Sequence, residues 1–294
     1  MSRSPYHAGE LAVQRRAGVA ASAARIGRGI HDAIPPIARD FLAAQRMLIV
    51  GARDREGLVW ASPLTGEPGF VRSVDERTVA VDARLEDGDP LAGALAPGAQ
   101  VGLLAIDLAN RRRMRLNGRL AAVEGRFVID LDQVYANCPK YIHPRELEPL
   151  PSRSGDAPLR PPRRGDTLAD DQQIAIARAD TFFLATAHRE AGADASHRGG
   201  PPGFVRVIDA RALHWPDYAG NTMFNSLGNI AADPRAGILF VDFASGSTLQ
   251  LSGRATVEWG EDVVASFPDA ERVVRLDVDR VIDLEHARGL RSLP

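Results

Sequence analysis

Short apolar runs between polar turns recur along the chain and predict β-strands. In each half a helical stretch precedes an apolar run, at residues 47–50 and 182–185, and a polar turn follows at 53–57 and 188–192. A second strand then leads to a turn rich in Gly and Pro, and the pentapeptide PGFVR behind it has the pattern of a further strand. The segments 78–81 and 212–215 add another strand to each half. A short helix is predicted over 223–232, where Asp233-Pro234 ends it.

The two halves of the chain repeat one another. Residues 34–77 align without a gap with residues 168–211, and PGFVR occurs at 68–72 and again at 202–206. Further on, residues 102–108 match 237–243, and residues 114–119 match 249–254. A long fixed period indicates duplicated units. Because each unit has five or six short strands and one or two helices, we predict a mainly β fold with flanking helices (α+β), made of two tandem small barrels.

Composition divides the chain into four parts. Residues 1–33 predict an N-terminal helical arm, which is rich in Arg and Ala from residue 10 onward. The first barrel unit is predicted over 34–148 and the second over 166–294. Between them, residues 149–165 contain five prolines with Ser, Gly and Arg, which is the composition of a semi-extended linker.

Charge and cysteine content argue against several classes of protein. The 294 residues carry 36 Lys and Arg against 38 Asp and Glu, a net charge of −2, which argues against a nucleic-acid binder. Cys138 is the single cysteine, so we expect no intrachain disulfide, and neither Cys nor His spacing predicts a metal site. No apolar run has the length of a membrane helix, and the N-terminus lacks the pattern of a signal peptide. We therefore expect a cytoplasmic protein that does not associate with membranes.

The two copies differ in a way that points to an anion site in the second unit. Ser196, His197, Arg198 and Gly199 stand together there, whereas the first copy has Leu64 in place of the arginine. A hydroxyl, a guanidinium and free backbone N–H groups beside glycine are suited to a phosphate monoester. The alternative is an exposed Gly-rich turn with incidental polar residues.

A second polar segment lies at the entrance of the predicted helix. Asn221 and Thr222 precede the helix, where N–H groups and the helix dipole attract anions, and Asn225 and Asn229 share a helix face. The alternative is a helix cap followed by two solvated asparagines. The first copy has Asp87 and Asp89 in this region, which would repel a phosphate, so the sequence predicts an anionic ligand in the second unit only.

The segment 137–143 clusters four chemically versatile side chains between the two units. It contains Cys138, the only lysine of the chain at Lys140, Tyr141 and His143. Lys140 and Tyr141 are suited to contact a bound ring or anion, whereas Cys138 is expected to be a small packing residue. A plain connecting loop is the alternative.

These segments resemble the FMN-binding split-barrel proteins related to pyridoxamine 5′-phosphate oxidase, in particular their large two-unit members. The resemblance is carried by SHRGGPPGFVR (196–206), by DYAGNTMFNSLGNIAADPRAGILFVDF (217–243) and by LQLSGRA (249–255), together with YHAGELAVQRRAGV (6–19) and NCPKYI (137–142). It implies a Greek-key-like split barrel that holds FMN at an interface between barrels. The residues that it places beside the flavin or its phosphate are Ser196, His197, Arg198, Val205, Arg206, Val207, Asn221, Thr222, Asn225 and Gln250.

The resemblance implies an FMN-dependent oxidoreductase with a small-molecule substrate and an electron donor or acceptor. His197 is the candidate for a proton or hydrogen-bond donor near the flavin. One alternative is a flavin- or nucleotide-binding module without turnover, and another is a haem or F420 protein on the same barrel. We expect a homodimer, although two units within one chain could pair in the same way.

Overall fold

The computed structural model describes residues 4–123, 125–150, 160–285 and 289–293. The N-terminal arm forms helices α1 and α2, and the first unit then adds one helix and seven strands. Their bounds are α1 Ala8–Arg16, α2 Ala20–Ile26, α3 Pro36–Ala43, β1 Met47–Arg53, β2 Val59–Thr65, β3 Val71–Ser73, β4 Thr78–Val81, β5 Gln100–Asp107, β6 Arg112–Ala122 and β7 Phe127–Ala136.

The second unit repeats this series after two short strands. The remaining elements are β8 Leu147–Pro149, β9 Arg163–Gly165, α4 Asp170–Arg178, β10 Thr181–His188, β11 Gly192–Gly199, β12 Arg206–Asp209, β13 Ala212–Tyr218, α5 Asn225–Ala232, β14 Arg235–Val241, β15 Thr248–Glu258, α6 Glu261–Ala265, β16 Ala270–Leu284 and β17 Leu290–Ser292. Among the described residues, no helix is long and apolar enough to cross a membrane.

The two units have the same sheet topology. Hydrogen-bonded neighbours run β2-β1-β5-β6-β7-β4-β3 in the first sheet and β11-β10-β14-β15-β16-β13-β12 in the second, and the strand pairs are antiparallel. The strand order of one sheet becomes that of the other when each strand is replaced by its counterpart in the repeat. The predicted fold class, mainly β with flanking helices in two tandem barrels, is therefore confirmed.

Strand β16 pairs with β15 on one side and with β13 on the other. Two details of the sequence-based description are corrected. Residues 163–165 of the predicted linker form β9, which pairs with β16, while residues 151–159 lie outside the described residues. Helix α5 begins at Asn225 rather than at residue 223, because Thr222 and Phe224 have φ of 61° and 59°, outside the helical region.

The two sheets pack directly against each other. An apolar cluster that includes Ile49, Leu104, Phe183 and Leu239 is buried between them. A Cβ atom on Gly102 of β5 would lie 2.4 Å from the Cα of Asp194, so only glycine permits this crossing. A Cβ atom on Gly237, the counterpart of Gly102 in the second unit, would lie 2.6 Å from the Cα of Trp60 in the first unit. We call this contact between the two units the seam. The crossing of Gly102 with Asp194 lies at one end of the seam, and the equivalent crossing of Gly237 with Trp60 lies at the other end.

Candidate functional site

A cavity of about 360 Å³ opens at one end of the seam. The first unit contributes the start of β6 and the segment 137–141, and the second contributes the end of β11, the loop after β13 and the start of α5. Ala17 and Val19 of the N-terminal arm complete the lining. Its volume lies in the range typical of small-molecule sites, and both units of a single chain build it. The predicted homodimer is not needed to form this cavity and stays a prediction.

Most of the candidate site residues from the sequence meet in this cavity. Eight of them line it, namely Lys140, Tyr141, His197, Arg198, Gly199, Asn221, Thr222 and Asn225. Cys138 lines it as well. Five others do not line it, namely Ser196, Val205, Arg206, Val207 and Gln250.

The segment 205–207, which the resemblance places beside the flavin ring, does not line the cavity. Val205 is buried in the core of the second unit and Val207 packs against that core. Arg206 is exposed, and its guanidinium lies 3.8 Å from the centre of the Phe267 ring. Strand β12 is the outer strand of its sheet and pairs only with β13. We therefore leave these three residues out of the proposed cofactor site.

Gln250 lies at the other end of the seam. Its Nε2 donates to the carbonyl of Ala61 at 3.0 Å, to Ser62 Oγ at 2.9 Å and to Asp89 Oδ2 at 3.1 Å. Ser62 Oγ also donates to Asp89 Oδ1 at 2.8 Å. The carboxylate of Asp89 is thus buried with neutral hydrogen-bond partners, and Arg164 acts on it only through its more distant charge. Rather than only repelling a phosphate, Asp89 occupies this end of the seam itself.

Asp89 makes stability depend on pH in an unusual direction. Burial raises its pKa from 3.8 to about 6, against the hydrogen bonds that it accepts from Leu91, Ser62 and Gln250. The folded pKa lies above the unfolded one, so ionisation costs stability above pH 6 and the cost disappears as pH falls. We expect this group to add about 1 kcal/mol to the free energy of unfolding between pH 7.5 and pH 5. Denaturant titrations of the wild type and Asp89→Asn at both pH values measure it, and parallel pH trends in the two proteins would contradict it.

A charge-balanced network lies in the wall of the cavity, where Arg115 and Ser226 are lining residues. Arg115 Nη1 donates to both carboxylate oxygens of Asp194, at 3.1 and 2.8 Å. Tyr135 Oη at 3.1 Å, Asn117 Nδ2 at 3.3 Å and Ser226 Oγ at 3.2 Å donate to the same carboxylate. Ser196 joins this network by accepting from the hydroxyl of Ser226 at 3.1 Å. This network joins the first unit to the second and leaves no free charge.

Two other arginines at the cavity, Arg113 and Arg198, have no carboxylate in direct contact among the described residues. Asp217 and Asp194 act on Arg198 only from a distance, and each of these carboxylates is already paired with another arginine. Arg113 donates from Nη1 to His197 Nδ1 at 3.1 Å and from Nη2 to the carbonyl of Cys138 at 2.7 Å. Within the described part of the chain, neither Arg113 nor Arg198 forms an ion pair, and the Nε atom of each is buried without a hydrogen-bond partner. Burial, with the nearby Arg115 and Arg198, lowers the pKa of Arg113 to about 9, and burial also lowers the pKa of Arg198. Such an arrangement is costly unless an anion completes it.

His197 is a neutral hydrogen-bond donor in this environment. Burial and the positive charges of Arg113 and Arg198 hold the pKa of its imidazole well below the usual value. Because Nδ1 accepts from Arg113, the ring hydrogen resides on Nε2. Nε2 is buried and has no partner among the described residues. The side chain amide of Asn137, beside it in the lining, also lacks partners there.

The backbone at the rim of the cavity is strained. Tyr141, Thr222 and Phe224 have φ of 64°, 61° and 59°, which side-chain-bearing residues seldom adopt. The rings of Tyr141 and Tyr218 stack with centres 5.0 Å apart, and Tyr141 Oη donates to the carbonyl of Ala219 at 3.1 Å. Strain of this kind is characteristic of binding sites, where the surrounding structure holds the backbone in place.

The asparagines of α5 are buried rather than solvated. Asn225 Nδ2 donates to Glu10 Oε1 at 2.6 Å, and Asn229 Nδ2 donates to Thr186 Oγ1 at 3.0 Å. Asn229 Oδ1 lies 2.8 Å from His7 Nε2. The N-terminal arm covers this face of α5, so Asn225 faces both the cavity and the arm.

Sequence reasoning missed Arg113, Arg115 and Asp194. The repeat contained a signal for all three, because their counterparts in the other copy are Thr248, Gln250 and Trp60. In each of these pairs the charged residue, which is Arg113, Arg115 or Asp194, lies at the end of the seam where the cavity opens. Comparing the copies at these positions would have found the cationic wall that the first unit supplies.

Comparison with known proteins bears on the second unit. Residues 168–285 match the family model of pyridoxamine 5′-phosphate oxidase. No curated protein matches the chain. Similar solved structures include HupZ of Group A Streptococcus (12% identity, 42% of this chain, 98% of that chain, TM-score 0.35) and general stress protein 26 of Bacillus anthracis (11%, 42%, 97%, 0.28). An FAD-binding protein of Mesorhizobium loti is another (14%, 42%, 96%, 0.29).

Proposed function

Because the second unit belongs to the pyridoxamine 5′-phosphate oxidase-related split-barrel family, we propose that the chain binds FMN in the seam cavity and is an FMN-dependent oxidoreductase. The observation that carries the proposal is the pair of buried arginines, Arg113 and Arg198, which form no ion pair among the described residues and whose Nε atoms have no hydrogen-bond partner there. A phosphate monoester would supply the missing negative charge and accept from their unpartnered Nε atoms.

The other lining groups fit the same ligand. His197 presents an unpartnered Nε2–H, and Asn137 presents an unpartnered amide, so both can hydrogen-bond to a polar ring edge. Thr222 and Asn221 lie where the chain enters α5, beside the N–H groups that favour anions.

Bound FMN would supply the electron-accepting ring, and the protein would supply binding, orientation and electrostatics. Arg113 and Arg198 hold negative charge in the cavity. His197 remains neutral at pH 7 because of burial and its cationic neighbours, so it donates a hydrogen bond from Nε2 without adding charge. The arm residues Ala17 and Val19 limit the access of water on one side. The substrate and the electron donor or acceptor would enter past the stacked rings of Tyr141 and Tyr218.

We expect the protein to bind FMN more tightly than FAD. The cavity has one cluster of cations without ion pairs among the described residues, and the chain has no glycine-rich dinucleotide fingerprint between a strand and a helix. Fluorescence-quenching titrations of the ligand-free protein with both flavins measure the two dissociation constants. Tighter binding of FAD, or binding of neither, would overturn the choice of FMN.

The absorbance spectrum of the purified protein separates the alternatives. Flavin bands support the proposal, whereas a Soret band or the spectrum of F420 would replace FMN by that cofactor. Reduction of the FMN-loaded protein by NADH or NADPH, with steady turnover against oxygen or a dye, tests the oxidoreductase. FMN binding without turnover with any donor or acceptor would instead identify a flavin-binding module.

A further inference from the structure

The N-terminal arm contacts the loop 220–225 at several points, although only Ala17 and Val19 of the arm line the cavity. Gln14 Nε2 donates to the carbonyl of Met223 at 2.9 Å, and Asn225 Nδ2 donates to Glu10 at 2.6 Å. Thr222 Oγ1 lies 3.5 Å from the hydroxyl of Ser22. Gln14 and Glu10 are buried, so these contacts do not compete with bulk water.

The loop needs this support because it is strained. Thr222 and Phe224 both have left-handed backbone, and a non-glycine residue in such a conformation costs about 1–3 kcal/mol. Met223, between them, is buried in a small apolar cluster with Tyr6 and Ala23 of the arm and with Tyr135. The arm thus fixes both the main chain and the side chain at the centre of the strained segment.

The arm docks through an unusually close helix contact. A Cβ atom on Gly9 of α1 would lie 2.3 Å from the carbonyl oxygen of Gly228 in α5. Since a backbone oxygen cannot move as a flexible side chain does, any larger residue at position 9 must push α1 away from α5. Neither Gly9 nor Gly228 lines the cavity.

We propose that the N-terminal arm is a positioning element for the ligand-binding loop, so that docking of the arm and binding of the flavin are thermodynamically coupled. The inference rests on the proposed function, because it concerns the same cavity. The arm holds Thr222 and Phe224 in the conformation that shapes the cavity, and a ligand bound against that loop holds the arm in return. By linkage the coupling must be equal in both directions.

Gly9→Ala tests the coupling without altering the cavity lining. We expect at least tenfold weaker FMN binding, because the displaced arm releases the loop. Gly29→Ala is the matched control, since a Cβ there meets nothing within 4 Å and lies in the same arm. We expect the control to bind FMN as the wild type does.

The reciprocal effect is measured by proteolysis. Arg15, Arg16, Arg25 and Arg28 are exposed trypsin sites on the arm, and FMN should slow cleavage at them in the wild type and less so in Gly9→Ala. Gln14→Leu provides a second variant should Gly9→Ala fail to fold, because it removes only the bond to Met223. It should also weaken FMN binding and speed amide exchange in residues 220–225.

The outcomes distinguish the inference from the proposed function. FMN binding by the wild type with equal affinity in Gly9→Ala, or in Gln14→Leu where the former does not fold, overturns the coupling and leaves the flavin site standing. Equal cleavage of the arm with and without FMN overturns it as well. Failure of the wild type to bind FMN overturns the proposed function, and the coupling with it.

Discussion

Arg198→Ala should weaken FMN binding about 10- to 100-fold, which corresponds to roughly 1.5–3 kcal/mol for a hydrogen bond to a charged group. Arg198 contributes a guanidinium with an unpartnered, buried Nε and no ion pair among the described residues. The phosphate of FMN would be its only strong partner. Isothermal titration or flavin fluorescence gives the two dissociation constants.

The same substitution should not destabilise the ligand-free protein. Burial is the largest influence on the pKa of Arg198 and lowers it, so removing the guanidinium relieves its desolvation and its repulsion with Arg115. The attraction of Asp217 and Asp194 is lost as well, but it does not outweigh that burial. We therefore expect an unchanged or higher thermal midpoint without FMN, together with a smaller upward shift when FMN is added. Loss of function with no loss of stability identifies a group kept for binding rather than for folding.

Arg254→Ala is the charge-matched control. Arg254 is an exposed arginine on β15 that does not line the cavity. Both variants lose one positive charge, so a general electrostatic effect on an anionic ligand would appear in both. Equal losses of affinity in the two variants, or an Arg198→Ala protein that binds FMN as the wild type does, would refute the assignment of the anion site.

The repeat in the sequence predicted the fold because it recorded the same strand pattern twice. The positions of the strands along the chain followed from hydrophobic periodicity and turn residues, which act over short distances along the chain. The positions of Val205 and Gln250 did not follow, because which face of a strand meets the partner unit depends on how two sheets cross. That crossing depends on contacts such as Gly102 against Asp194, which link residues distant in sequence.

The two ends of the seam differ in their charged residues. At one end, Asp194 neutralises Arg115, and Arg113 and Arg198 form no ion pair among the described residues. At the other end, the counterparts of Arg115 and Arg198 are Gln250 and Leu64, and Asp89 closes the polar cluster with hydrogen bonds alone. The sequence predicted an anion site built by the second unit only. The proposed site instead takes Arg113 from the first unit and Arg198 from the second.

Loss of the buried ion pair at the seam should be the most destabilising change. Asp194 and Arg115 are both buried, and the carboxylate also accepts from Tyr135, Asn117 and Ser226. Asp194→Asn keeps the size of the side chain but leaves the charge of Arg115 uncompensated. We expect the free energy of unfolding to fall by about 3–5 kcal/mol, the usual cost of removing one partner of a buried pair.

The natural asymmetry of the seam suggests how to rescue this variant. Because the other end uses a glutamine at the position equivalent to Arg115, the double variant Asp194→Asn/Arg115→Gln should regain much of the lost stability. Asp166→Ala, which breaks the exposed pair with Arg211, should change stability by less than about 1 kcal/mol. Denaturant titrations of the four proteins measure these differences. A single Asp194→Asn variant as stable as Asp166→Ala would show that the seam does not depend on this ion pair, and that its apolar cluster alone holds the two units together.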